Sequence, residues 1–153
     1  MRAVRAFAAI YMAAVLGLTM WPQLGHTGVS SYARRAVTFL DGIGIHTSVS
    51  GLEAISNILM FIPFGILGVA ILVDLPLFRS LNTGLVGDAV KVTILAAGTS
   101  ALIELAQLAI PGRVTDLNDL IRNTLGALVG ASIAASYFKL RDQNRTASFV
   151  RGS

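Results

Sequence analysis

Polar side chains recur at helical spacing inside otherwise apolar segments of this 153-residue sequence. They form pairs separated by three or four positions: Glu53 with Asn57, Glu104 with Gln107, and Asp119 with Asn123. Residues three or four apart lie on one face of a helix, so each pair presents two polar groups to the same neighbour. Carboxylates and amides in this arrangement can bind a polar ligand or exchange protons with it.

These pairs fall at matching depths if their helices cross a membrane. At about 1.5 Å per residue, Asn57, Glu104 and Asn123 lie roughly 9 to 10 Å inward from the outer ends of their helices. The other member of each pair lies roughly 4 to 5 Å inward. We therefore predict that the helices bring these groups together, with polar atoms of Asn57, Glu104 and Asn123 on the order of 3 to 7 Å apart.

Several of these residues also have ordinary structural explanations. Glu53 can close a capping box with Ser50, and Asp116 and Asp119 can be stabilised by the positive end of a helix dipole. The two asparagines can be hydrogen-bonding groups that only hold helices together. Glu104 is different, because it has apolar neighbours in mid-helix and must find a donor or become protonated. It is the residue that we most expect in a functional site.

No metal or cofactor is expected. His26 and His46 share one loop without ligand spacing, and cysteine is absent. Arg122 is expected to point outward and pair with Asp119 or Asn118.

The composition predicts an integral membrane protein. Hydrophobic residues make up 54% of the chain and charged residues only 13%, against about 25% charged residues in soluble domains. The mean hydropathy is +0.72. These values exclude a disordered tail, a coiled coil and a nucleic-acid-binding module. The net charge of +4 sits in short flanks between apolar runs, where membrane lipids are the expected partners.

Four apolar stretches are long enough for membrane helices of about 20 residues. We place them at residues 6–21, 51–73, 90–110 and 116–138. The first ends at Trp21 and Pro22 without a cleavage pattern, so we interpret it as an uncleaved signal anchor. Helical spacing of apolar residues from Val29 to Leu40, with a stop at Asp41 and Gly42, predicts a short interfacial helix in the first outer loop. The predicted fold is an all-α four-transmembrane-helix bundle.

Small residues and one proline are expected to determine how the helices pack. Gly126, Gly130 and Ala134 recur at four-residue steps, a spacing that lets helix backbones approach closely in lipid. Pro63 lacks an amide hydrogen and should kink its helix. We assign residues 1–140 to a single transmembrane domain and residues 141–153 to a polar, mobile cytoplasmic tail.

The distribution of Lys and Arg predicts the orientation. Eight basic residues fall on one side of the predicted spans: Arg2, Arg5, Arg79, Lys91, Lys139, Arg141, Arg145 and Arg151. Four fall on the other: Arg34, Arg35, Arg113 and Arg122. By the positive-inside rule both termini are cytoplasmic, and the polar layers lie in the extracytoplasmic half.

The polar positions belong to a longer set of motifs. It reads N-x5-P-x-G from Asn57, E-x2-Q from Glu104, and R-x2-D-x2-D-x3-N-T-x-G from Arg113. Over residues 50–134 this order and spacing resemble the VanZ-like family of bacterial membrane proteins. The resemblance implies a small polytopic protein of the inner membrane. The founding member of the family is associated with low-level resistance to the lipoglycopeptide teicoplanin, and the resemblance implies no particular reaction.

The sequence leaves three functional hypotheses open. The first is a binding module for a lipid headgroup, a lipid-linked cell-wall intermediate or an acylated glycopeptide. Its predicted ligand-binding residues are Asn57, Glu104, Gln107, Arg113, Asp116, Asp119 and Asn123. The second is an intramembrane enzyme in which Glu104 and Asp116 or Asp119 act as acid and base on an envelope lipid, although no established catalytic motif is present. The third is a structural scaffold. Transport is disfavoured, because the polar layers do not continue to the cytoplasmic side.

Overall fold

The computed structural model describes residues 2–20, 28–72, 84–109 and 116–151. These ranges form five α-helices and contain no strand. We number them α1 (Arg2–Met20), α2 (Gly28–Gly42), α3 (Val49–Leu72), α4 (Gly84–Gln107) and α5 (Leu117–Arg151). The predicted all-α class is confirmed.

Three helices of the described ranges are long and apolar enough to cross a membrane: Arg2–Thr19 of α1, and α3 and α4 over their full lengths. They correspond to the first three predicted spans. α5 does not reach the same hydropathy, because its buried face consists of glycine, alanine and Asn123. Its outer face is apolar, since Ile121, Leu125, Val129 and Ile133 expose between 45% and 53% of their surface. The three apolar helices therefore indicate a helical membrane protein. The fourth span stays a prediction.

The start of α3 differs from the predicted one. Ser48 is the cap, because its hydroxyl oxygen accepts the amide hydrogen of Gly51 with a donor–acceptor distance of 3.0 Å. Ser50 lies inside the helix. The predicted capping box between Ser50 and Glu53 is therefore wrong.

α2 ends in a Schellman motif. The amide of Ile45 donates to the carbonyl of Leu40 over 2.9 Å, and the amide of Gly44 donates to the carbonyl of Asp41 over 3.1 Å. Gly44 has a φ of +85°, which a residue with a side chain rarely adopts. A helix is thus present where one was predicted and ends at Gly42, and its position at the membrane interface stays a prediction.

α5 continues as a helix to Arg151, well beyond the predicted span end at residue 138. Residues 139–151 contain neither proline nor glycine, so no helix breaker precedes Gly152. The segment that we expected to be a polar tail is thus helical as far as Arg151, and its mobility stays a prediction.

α3 and α5 approach so closely that their backbones touch. Gly126 and Gly130 lie against the carbonyl oxygens of Ile58 and Ile62, and a Cβ at either glycine would overlap those oxygens. Gly65 approaches the backbone of α5 in the same way. The predicted packing role of the glycine repeat is confirmed. Pro63 lies within an unbroken α3, and the predicted kink stays a prediction.

Two apolar clusters fill the space around this contact. The first joins α3, α4 and α5 and consists of Val69, Leu72, Ala89, Val92, Ala131, Ala134 and Ala135. The second adds α1 and consists of Val15, Phe61, Ala96, Ile103 and Ala127. Val15 is the one buried side chain among residues 2–19, so α1 is the least embedded of the three membrane-length apolar helices.

Replacing Gly130 should separate α3 from α5. Gly130→Ala forces a methyl group against the Ile62 carbonyl, and overpacking of this kind costs about 1 to 3 kcal/mol. Gly98→Ala is the matched control, because nothing lies within 4 Å of its added Cβ in mid-α4. Thermal unfolding in detergent should show a lower midpoint for Gly130→Ala and no loss for Gly98→Ala. Equal midpoints for the two variants would contradict the close approach.

Candidate functional site

Asp119 gathers polar groups near the start of α5. Its Oδ1 accepts a hydrogen bond from Asn57 Nδ2 at 2.8 Å, which joins α3 to α5. Arg122, one turn further along α5, contacts the same oxygen through Nη1 at 3.1 Å. The side chains of Asp119 and Arg122 are 37% and 26% exposed, so this edge of the site is accessible. The predicted pairing of Arg122 with Asp119 is confirmed.

Glu104 joins the end of α4 to the start of α5. Its Oε2 accepts the backbone amide hydrogen of Asp116 at 3.1 Å. Asp116 caps α5 in turn, since its Oδ1 accepts both the backbone amide and the side-chain amide of Asn118 at 2.8 Å. Glu104 therefore lies in the last turn of α4 and not in mid-helix as expected, and its carboxylate has a hydrogen-bond donor at the start of α5.

Ser100 and Asn123 form the buried floor of the site. Asn123 Nδ2 donates to Ser100 Oγ at 2.9 Å, and the two residues are 5% and 0% exposed. The remaining amide oxygen of Asn123 has no hydrogen-bond partner in the described part of the chain. A buried unpaired acceptor costs about 1 to 3 kcal/mol, so this atom requires an explanation.

Sequence reasoning did not find Ser100. A serine within a helix commonly bonds to a carbonyl of its own helix, so it gives little signal by itself. The available signal was its spacing, because Ser100 precedes Glu104 by one helical turn and therefore lies one layer deeper on the same face.

Within the described structure, Gln107 is hydrogen-bonded to α1 and not to this group. Gln107 is buried, and its Nε2 donates to the backbone carbonyl of Thr19 in α1 at 2.9 Å. Arg113 lies outside the described residues. Tyr11, which sequence reasoning also missed, donates from its hydroxyl to the carbonyl of Met60 in α3. Gln107 and Tyr11 thus hold α1 against α3 and α4.

In the structure, the predicted residues Asn57, Glu104 and Asn123 each bond to a residue of another helix or its cap and not to one another. Asn57 bonds to Asp119, Glu104 to the backbone of Asp116, and Asn123 to Ser100. The direct approach of Asn57, Glu104 and Asn123 to one another stays a prediction, as do their roles in binding a ligand. Within the described ranges, no group of three or more His, Asp or Glu side chains is arranged to hold a metal ion. The arrangement suits hydrogen bonding to a polar group that enters from the accessible edge.

The bond between Asn57 and Asp119 should give a measurable coupling. A double-mutant cycle with Asn57→Ala and Asp119→Ala should show a coupling energy of about 1 kcal/mol in detergent unfolding, since hydrogen bonds between membrane helices are of this size. A cycle of Asn57→Ala with Asn118→Ala is the control, because Asn118 is exposed and bonds to Asp116 instead. Coupling near zero in the first cycle would contradict the bond.

Comparison with known proteins identifies the family of the chain. The sequence model of the VanZ/LLP1 family matches residues 7–139, which include every residue of the site and extend to α1 and α2. No curated protein and no solved structure matches the chain. Because the family match covers most of the chain and takes in the motifs that build the site, the protein belongs to the VanZ/LLP1 family.

Proposed function

We propose that the site binds the polar headgroup of an envelope lipid, of a lipid-linked cell-wall intermediate or of an acylated glycopeptide. Through this binding, the protein contributes to envelope function or to teicoplanin-type resistance. One observation carries the proposal: a partly exposed pair, Asp119 with Arg122, lies one turn above the buried Ser100–Asn123 floor. A scaffold needs buried interhelical bonds, but it does not need an accessible ion pair beside them. A headgroup-binding site needs both an accessible edge through which the headgroup enters and polar groups in its interior.

We propose further that the protein spans the inner membrane four times, with both termini in the cytoplasm. The apolar outer face of α5 supports the fourth span. α2 is proposed to lie on the outer membrane surface. Its exposed Phe39, and Ile43 directly after the helix, can enter the lipid interface while Arg34 and Arg35 contact headgroups. In this arrangement the site opens to the outer leaflet.

The contacts favour binding over acid–base catalysis. Glu104 accepts a backbone amide, and Asp119 accepts two side-chain donors, so both carboxylates are held as hydrogen-bond acceptors. A general acid instead needs a proton to donate toward a reacting atom. An enzyme acting through Glu104, Asp116 or Asp119 is therefore the second alternative, and the Glu104 variants below separate it from binding.

Single-cysteine labelling tests the proposed topology. The chain has no cysteine, so one introduced at Gly28 is the only reactive thiol. We expect a membrane-impermeant maleimide to label it from outside in intact cells, and a reporter fused after Arg145 to be cytoplasmic. A cysteine introduced near Arg145 is the control and should react only after lysis. The opposite pattern would place the site on the cytoplasmic side.

Substitution of Glu104 tests the site itself. Glu104→Gln keeps the acceptor for the Asp116 amide and removes the charge, so a binding site should keep most of its function. An acid–base role predicts a loss of roughly 100-fold or more with normal expression. Glu104→Leu should give a folded protein that has lost lipid retention and drug phenotype. The measurements are detergent melting, lipid co-purification and teicoplanin susceptibility of the expressing host.

Glu53→Leu is the matched control for Glu104→Leu, because Glu53 is an exposed carboxylate near the start of α3. It should retain the phenotype. Full retention of phenotype and of bound lipid in Glu104→Leu would contradict both binding and catalysis at this residue. The structural scaffold would then be the remaining hypothesis.

A further inference from the structure

The amide oxygen of Asn123 is an acceptor without a donor at the floor of the site. Asn123 is almost completely buried, and its Nδ2 is already bonded to Ser100. Asn123 follows Asp119 by one turn of α5, and Ser100 precedes Glu104 by one turn of α4. The Ser100–Asn123 pair therefore lies one turn below two carboxylates. A ligand group that supplies an N–H at this point would satisfy the unpaired oxygen.

The charged side chains near this floor have a net negative charge. Among the described residues, Glu104, Asp116 and Asp119 are three carboxylates and Arg122 is one guanidinium, so their charges sum to −2. Counting Arg113, which lies outside the described residues, still leaves a sum of −1. Asp119 uses one oxygen, Oδ1, for both Asn57 and Arg122. Its Oδ2 has no protein donor within the described ranges and is available to a ligand. The two oxygens that a ligand could contact here, Asp119 Oδ2 and Asn123 Oδ1, are thus both hydrogen-bond acceptors.

We infer that the site selects a headgroup that carries a primary ammonium, such as phosphoethanolamine. An ammonium has three N–H donors and no acceptor, so it can contact Asp119 Oδ2 and Asn123 Oδ1 together and compensate the negative charge. The adjoining phosphate then lies toward Arg122 at the accessible edge. Because Asn123 is almost completely buried, the side chains of Asp119 and Arg122 must move apart before the ammonium can reach it. This inference rests on the proposed headgroup-binding function.

Three headgroups separate the effects of charge and of hydrogen-bond donation. Phosphoethanolamine carries a cation with N–H donors, phosphocholine carries the same charge without a donor, and phosphoglycerol carries hydroxyl donors with a net negative charge. Full-length protein in detergent is titrated with the dioleoyl lipid of each kind and observed by native mass spectrometry. We expect the ethanolamine lipid to bind about 10-fold more tightly than the other two. Equal binding of the ethanolamine and choline lipids, or tighter binding of the glycerol lipid, would overturn the inference.

Two variants locate the preference. Asn123→Leu removes the unpaired acceptor and should abolish the preference for ethanolamine over choline while choline binding stays the same. Asp119→Asn removes the carboxylate charge at nearly constant size, should weaken ethanolamine binding by about 10-fold, and does not depend on whether Asn123→Leu folds. Asn144→Leu is the control, because Asn144 is exposed on α5 beyond the predicted span and should leave the preference unchanged.

The possible outcomes distinguish the inferred ammonium selectivity from the proposed headgroup binding on which it rests. Wild-type protein that binds none of the three lipids would overturn headgroup binding altogether. Suppose that the wild-type protein binds lipid without a headgroup preference and that Glu104→Leu loses this binding. That result would overturn only the inference of ammonium selectivity and would leave headgroup binding in place. A preference that survives both Asn123→Leu and Asp119→Asn would show that these two residues do not read the headgroup. Displacement of the ethanolamine lipid by soluble phosphoethanolamine, but not by phosphocholine, would support recognition of the headgroup without its acyl chains.

Discussion

The backbone contact between α3 and α5 is the constraint on which the other features of the structure depend. Helices in lipid gain little from burying apolar surface against each other, so close packing and hydrogen bonds must hold them. Gly126 and Gly130 place α5 against the carbonyls of Ile58 and Ile62. That register brings Asn57, the neighbour of Ile58, within hydrogen-bonding distance of Asp119. A side chain at either glycine would separate the helices and with them the two halves of this bond.

The polar contacts change character with depth. Near the start of α5, Asp119 and Arg122 form a partly exposed ion pair that can rearrange at modest cost, because solvent or headgroups can replace either partner. One turn deeper, Ser100 and Asn123 are sealed, and an unpaired amide oxygen remains. A site with a replaceable edge and an incompletely satisfied floor is suited to a ligand that brings its own donors.

α1 is held by a different kind of interaction. It buries little side-chain surface, and it is fixed by hydrogen bonds from Tyr11 to the Met60 carbonyl and from Gln107 to the Thr19 carbonyl. Side-chain donors that reach backbone carbonyls of another helix can hold two helices together without a wide packing face. This use of Gln107 explains why a residue at helical spacing from Glu104 points away from the other polar groups.

Composition and periodicity were enough to predict the all-α class, the approximate helices, the packing glycines and the polar residues at corresponding ends of α3, α4 and α5. These are local or repeating properties, and spacing along a helix converts them directly into faces and depths. The bonding partners on neighbouring helices could not be predicted in this way. That Asp119 receives Asn57, and that Ser100 rather than Glu104 receives Asn123, depend on the rotation and register of helices. Those are decided by contacts between backbones far apart in the chain, so only the tertiary structure decides which of several suitable polar groups meet.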